Sequence, residues 1–123
     1  MTTSRAHASR HLRFEVRTGG NPGALARRQL DYVADQIDHS NFARLRLLVS
    51  ELVNRAAGDP ERASVTVSVT VSRAAIHAVV LDDSCDGPQV LDWALLLVGR
   101  IADRWGVAHG IWFELDTPRR RAA

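Results

Sequence analysis

Residues Ser64 to Ser72 read S-V-T-V-S-V-T-V-S, and no other stretch of the chain restricts its fold as tightly. Side chains alternate along a strand, so Val65, Val67, Val69 and Val71 share one face while Thr66, Ser68 and Thr70 share the other. A strand that is apolar on one side and hydroxylated on the other belongs to a sheet with one covered and one solvated face. That points to antiparallel pairing with helices gathered on a single side.

The neighbouring segments extend this sheet. Residues 75 to 82 return as a hairpin partner, apolar on both faces apart from His77, which predicts a central strand or a covered outer face; His77 reads as an ordinary strand residue. His11 to Arg17 alternates again, with Leu12, Phe14 and Val16 opposite Arg13, Glu15 and Arg17. Gly110 to Leu115 supplies a further strand, with Ile111 and Phe113 opposite Trp112 and Glu114. Between the strands the period changes. After the Gly19-Gly20-Asn21 turn, Pro22 opens a helix expected to run to about Asp38, with Ala26, Leu30, Val33 and Ile37 inward. Ser40 or Asn41 is expected to cap a second helix that stops at Gly58, before Asp59 and Pro60. Leu91 to Trp105 reads as a third, very apolar helix ending at Gly106.

The expected architecture is an α/β two-layer sandwich: a mainly antiparallel four-stranded sheet with three helices on one face, in the order β-α-α-β-β-α-β. It would occupy residues 11–116, with a flexible tail at 1–10 and a basic tail at 117–123. A chain of 123 residues suits one domain. No apolar run approaches the length of a membrane span. The opening M-T-T-S-R-A-H-A-S-R-H has no apolar signal core, and one cysteine, Cys85, permits neither an internal disulfide nor a cysteine-rich zinc site, so a cytoplasmic location is expected. All 16 basic residues are Arg, for a net charge of +2. They crowd both ends, with Arg5, Arg10, Arg13, Arg17, Arg27 and Arg28 before Tyr32 and Arg119, Arg120 and Arg121 at the close. A nucleic-acid-binding module using these ends is one functional alternative, although such modules place cations on a structured face or interleave them with aromatics.

The second helix carries the chemistry. With about 100° per residue, Leu45, Leu48, Val49, Leu52, Val53 and Ala56 form one apolar stripe, and Glu51 lies just off it. The string S-E-L-V (Ser50–Val53), followed by Asn54, Arg55 and Ala56, resembles the S-E-L-V-T-N-A box of the histidine-kinase-like (GHKL) ATPase superfamily, particularly its bacterial anti-sigma-factor serine kinases. In that family the Glu is the general base and an Asn four residues on holds the magnesium of ATP. The resemblance places Glu51 at the general-base position. Arg55 stands where the metal ligand belongs, and Asn54 is turned from that flank by about 100°. Glu51 and Arg55 are expected to form an i,i+4 pair, of the kind worth about 0.3–0.5 kcal/mol, that fills the metal's space.

Two later segments extend the resemblance over roughly residues 12 to 116. A-D-R-W-G-V (Ala102–Val107) and I-W-F-E-L (Ile111–Leu115) are similar to endings common in the actinobacterial anti-sigma-like group. Asp82 matches the family's adenine-binding Asp, while Ser84 and Asp86 replace the two glycines of its D-x-G-x-G box. Aligning Ala94 to Val98 with the family's G-L-x-L-V puts Asp92 and Ala94 at the glycines that receive phosphates on a helix N-terminus. Five residues separate Pro88 from Ala94, so the family's lid is largely deleted. As an N-cap, Asp92 would itself occupy the helix's free N–H groups. The family's late Lys-Thr falls at His109 and Gly110.

The resemblance therefore implies a degenerate member: a regulatory protein-binding domain of the anti-sigma-factor type, acting on a sigma factor or a STAS-type anti-anti-sigma partner, with homodimerisation as a further expectation. Neither ATP nor magnesium is expected as a cofactor, and no metal site is assigned. Glu51 is read as an inactive catalytic position, with Asp82, Asn54, Arg55, Ser84 and Asp92 as remnants of a nucleotide site. The competing expectation is an ATP-dependent serine kinase whose substitutions are compensated.

Other patterns carry less. Asp82, Ser84, Asp86 and Gly87 echo the start of a calcium loop, but its twelfth position is Trp93 instead of Glu. Cys85 sits among aspartates that disfavour a thiolate. His7, His11, His39, His77 and His109 lack metal-ligand spacing, and Trp93 beside the shortened lid is a candidate interface anchor.

Overall fold

A computed structural model describes residues 9–81 and 93–122. Five strands, β1 (Arg10–Arg17), β2 (Ser64–Val71), β3 (Ala75–Leu81), β4 (Arg104–Val107) and β5 (Gly110–Asp116), form one antiparallel sheet in the order β1-β2-β3-β5-β4. Four α-helices accompany it among the described residues: α1 (Pro22–Leu30), α2 (His39–Ala57), α3 (Trp93–Ile101) and α4 (Pro118–Ala122). The alternation in β2 does what its pattern dictates. Val65, Val67 and Val69 are fully buried, and they meet Ile76, Ala78 and Val80 of β3 and Ile111, Phe113 and Leu115 of β5 in the core. The helix α2 lies over these strands with Leu45, Leu48, Val49, Leu52, Val53 and Ala56 turned inward. β3 is central, which accounts for its apolar character on both faces.

The sheet has one strand more than the sequence pattern predicts. The helix expected over Leu91 to Trp105 ends at Ile101 in the structure, and Arg104–Val107 forms an edge strand against β5. Partners ten to thirteen residues downstream outweigh the helical pattern here. Asp103 N–H donates to the Glu114 carbonyl (2.9 Å), the Asp103 carboxylate accepts from Asp116 N–H (2.7 Å), and Arg104 Nε donates to the Glu114 carboxylate (2.7 Å). Gly106, expected to terminate a helix, sits within this strand because the Trp112 ring lies over it. A Cβ on Gly106 would stand 2.7 Å from the indole Nε1.

The helices differ from expectation in two further respects. The helix expected to continue from Pro22 to Asp38 tightens after Leu30 into a 3-10 segment, Asp31–Gln36, that buries Val33 and leaves Tyr32 outside. Ile37 is extended, and Asp38 caps α2 in place of Ser40 or Asn41. Burial acts against the Asp38 carboxylate, but hydrogen bonds from Ser40 Oγ (2.9 Å) and Asn41 N–H (3.2 Å) outweigh it and hold its pKa below the ordinary value. Within the expected basic tail, Pro118 starts the short α4, and Thr117 Oγ1 accepts from Arg120 N–H (3.3 Å).

Candidate functional site

The flank of α2 beside the apolar stripe carries the residues singled out in the sequence. Glu51 and Arg55 are half-buried and Asn54 is exposed. Asn54 is engaged in holding the fold. Its Oδ1 accepts a hydrogen bond from Gly23 N–H (3.1 Å) in the first turn of α1, while Asn21 Oδ1 accepts from Ala24 N–H (3.2 Å) one residue later. A helix leaves its first N–H groups without internal partners, so α1 is capped locally by Asn21 and across the fold by Asn54. Gly23 is the residue that makes this approach possible: a Cβ there would lie 2.7 Å from Asn54 Nδ2 and 2.8 Å from Oδ1.

The expected Glu51–Arg55 pair does not form: no ion pair joins the two among the described residues. Arg55 does engage a partner. To a metal, this flank of α2 offers the Glu51 carboxylate with a guanidinium one turn on and no amide beside it. Asp82, Ser84 and Asp92, together with Cys85 and Asp86, lie outside the described residues. Among the described residues no group of three or more His, Cys, Asp or Glu side chains could hold a metal ion, and no helix is long and apolar enough to cross a membrane.

The two later motifs form the two strands of the β4–β5 hairpin. Arg104 binds Glu114 through Nε and Asp116 through Nη2. Asp116 first and then Glu114 keep its guanidinium charged beyond the ordinary range. Glu114 is depressed below its ordinary value, first by the Arg104 hydrogen bond, against the opposing effect of burial, and further by His77, whose Nδ1 lies 3.0 Å away. His77 stacks on Trp112 with ring centroids 5.7 Å apart and planes 21° from parallel. Trp112 is thus held between His77 and Gly106. At the turn, His109 has φ 55° and Gly110 φ 148°, so the position of the family's late Thr has a backbone that only glycine adopts without strain.

Sequence reasoning missed the cluster at the other end of α2. Arg44 Nη1 donates to Asn41 Oδ1 (2.8 Å), Nη2 reaches the Ile101 carbonyl, and the same nitrogen lies 3.5 Å from the Asp103 carboxylate. Asn41, fully buried, donates through Nδ2 to the Asp116 carbonyl (2.9 Å). This group clips the start of α2 to the end of α3 and to β5. Its one sequence signal is spacing, since Arg44 precedes Glu51 by two helical turns and shares its flank.

The outward side of α3 is apolar. Trp93, Leu96, Leu97 and Arg100, at i, i+3, i+4 and i+7, line a shallow depression, with Trp93 66% and Leu96 46% exposed. Trp105, packed against Gly99, and Val107 add 40% and 51% exposed apolar side chains on the adjoining strand. Comparison with protein-family models and with curated proteins returned no match.

Proposed function

We propose that this chain is a regulatory protein-binding domain with a degenerate histidine-kinase-like (GHKL) fold of the anti-sigma-factor type, binding a sigma factor or a STAS-type antagonist. The observation that carries this reading is the outer face of α3. A helix apolar on its core side at Ala94 and Val98, and again outside at Trp93 and Leu96, leaves a surface suited to a protein partner. Trp93 is its anchor and Arg100 its polar rim. The diversion of Asn54 to Gly23 supports the degenerate half of the reading, because it commits the amide nearest Glu51 on α2 to holding α1. A phosphoryl-transfer site needs metal ligands and backbone donors to neutralise the transferred group.

Calorimetric titration with ATP and magnesium tests the nucleotide half: no saturable heat is expected at micromolar nucleotide. Micromolar, magnesium-dependent affinity that disappears in Asp82→Asn would establish the kinase alternative and sink this one. For the partner half, the wild-type chain is expected to retain a sigma factor or STAS domain from cognate cells, and Trp93→Ser/Leu96→Ser to lose it. Salt-sensitive binding to single-stranded or duplex probes would instead favour the nucleic-acid alternative.

A further inference from the structure

Ser72 and Ala75 close the turn between β2 and β3. Ser72 N–H donates to the Ala75 carbonyl (3.0 Å), and Ser72 Oγ accepts from Ala75 N–H (3.2 Å). Arg73 and Ala74 form the exposed tip of this turn. Carbonyl groups at such a tip are ordinarily left to water, but here Thr117, the residue after β5, holds both. Its Oγ1 donates to the Arg73 carbonyl and its N–H to the Ala74 carbonyl (3.0 Å). The same Oγ1 accepts from Arg120 N–H, so one side chain fixes the turn and α4 to each other. Arg73, Ala74, Arg119 and Arg120, from two segments far apart in the chain, consequently line one depression of about 250 Å³.

Arginines gathered around one depression repel one another, by an amount that water and salt reduce without removing. The fold offsets little of this. Asp116 Oδ1 lies 3.5 Å from Arg120 Nε, yet Arg104 binds the same carboxylate through Nη2. Arg119 takes part in no ion pair or hydrogen bond among the described residues. An anion bound at this place would relieve the repulsion.

The number of guanidinium groups selects the kind of anion. A carboxylate has one charge and two oxygens, enough for one bidentate arginine. A phosphate monoester carries about two charges at neutral pH and three terminal oxygens, so several arginines can bond it at once. A diester, the form found in a nucleic-acid backbone, keeps one charge and two free oxygens. The depression is smaller than the roughly 300 Å³ at which pockets begin to enclose a drug-sized ligand, which suits one phosphoryl group and the first atoms of its stem. We propose that Arg73, Arg119 and Arg120 form a binding site for a dianionic phosphoryl group, supplied by free phosphate or by a small phosphate monoester. The site uses no residue of α2 or α3, so the inference stands whether or not the regulatory reading does.

Nuclear magnetic resonance titration of the full chain tests it, at constant ionic strength and about pH 7.5, above the second phosphate pKa. The probes are inorganic phosphate, phenyl phosphate, dimethyl phosphate and acetate. Inorganic and phenyl phosphate are expected to give saturable shifts confined to the amides of residues 72–75 and of Thr117, Arg119 and Arg120, with dissociation constants of about 1 mM or below. Tighter binding of phenyl phosphate assigns the site to an organic monoester, and equal binding assigns it to the phosphoryl group alone. Dimethyl phosphate and acetate should bind at least about tenfold more weakly. Arg119→Gln removes a side chain with no partner among the described residues, and it should weaken phosphate binding about tenfold. Arg28→Gln, the same loss of charge at an exposed position of α1, should leave binding unchanged. Ala74→Glu should abolish binding by setting a carboxylate in the depression, and circular dichroism confirms that each variant is folded. Shifts that never saturate, equal affinity for dimethyl phosphate or acetate, or equal weakening by Arg119→Gln and Arg28→Gln would each overturn the inference.

Discussion

The contact between Asn54 and Gly23 makes a quantitative prediction about which role Asn54 has. Asn54→Ala removes the acceptor for Gly23 N–H at the start of α1, a loss of capping that costs about 1 kcal/mol. Gly23→Ala places a methyl group 2.7–3.0 Å from three atoms of the Asn54 amide, which must swing away and give up the same bond. That loss of about 1 kcal/mol is partly offset by the helix propensity of Ala over Gly, worth up to about 1 kcal/mol, so Gly23→Ala alone should destabilise by roughly 0.5 kcal/mol. In the double variant the obstructing amide is gone and the propensity gain is realised. It should therefore be more stable than Asn54→Ala alone, with a coupling energy of about 1 kcal/mol. Urea unfolding followed by circular dichroism gives the four free energies, and each kcal/mol should also move the midpoint of thermal unfolding by roughly 4 °C. Additive effects, or an Asn54→Ala variant as stable as wild type, would refute the cap and return Asn54 to the pool of ligand-facing residues.

Gly106→Ala should destabilise the fold by about 1–3 kcal/mol, because the new Cβ meets Trp112 at 2.7 Å and forces the indole off His77; near-ultraviolet circular dichroism should lose the Trp112 signal. The Glu114 pKa is lower in the folded chain than its ordinary value of 4.5, so the stability it contributes is fully present above that value and is lost as pH falls through the folded pKa. Glu114→Gln should flatten the acid limb of a pH–stability profile, and an unchanged slope would contradict the Arg104–Glu114 assignment. Gly110→Thr introduces the residue of the resembled family but puts a β-branched side chain at φ 148°; a loss of about 1–3 kcal/mol in chemical denaturation is expected, with no gain in ATP affinity by calorimetry.

The elements legible in the sequence are those specified by their own residues. β2 is readable because its four valines keep a period of two, and α2 because its stripe holds a helical period from Leu45 to Ala56. β4 is not, since Arg104–Val107 is too short for a period and is set by Glu114 and Asp116. The break after Leu30 was hidden for a related reason: Leu30, Val33 and Ile37 fit a continuous helix, whereas the chain buries Val33 from a tighter turn and spends Asp38 on capping α2. Glu51 and Arg55 share one flank of α2, as any i,i+4 pair on a helix must, whereas the partner of Asn54 lies 31 residues away on another helix. The Arg44 cluster likewise unites α2, α3 and β5, which no local pattern brings together.

The structural duties of the two hairpin motifs change the weight each part of the sequence resemblance can bear. Asp103 and Arg104 bind the backbone and carboxylates of β5, Trp105 packs on Gly99, Gly106 admits Trp112, and Glu114 joins Arg104 to His77. Each of these contacts lies within the hairpin or ties it to β3 and α3, so the packing of the sheet's end by itself accounts for the residues of both motifs. The chemical question therefore falls on α2 within the described residues. There Arg55 sets a guanidinium on Glu51's flank, and the neighbouring amide, Asn54, is fastened to α1 through a glycine that permits no larger side chain without displacing it. Returning an amide to position 55 would restore one ligand while leaving the Asn54 clasp, the Gly110 turn and the apolar face of α3 as they are. Those features fit the proposed protein-binding domain, and the Asn54 clasp and the α3 face are the two places where the calorimetric and partner-retention experiments bear on it directly.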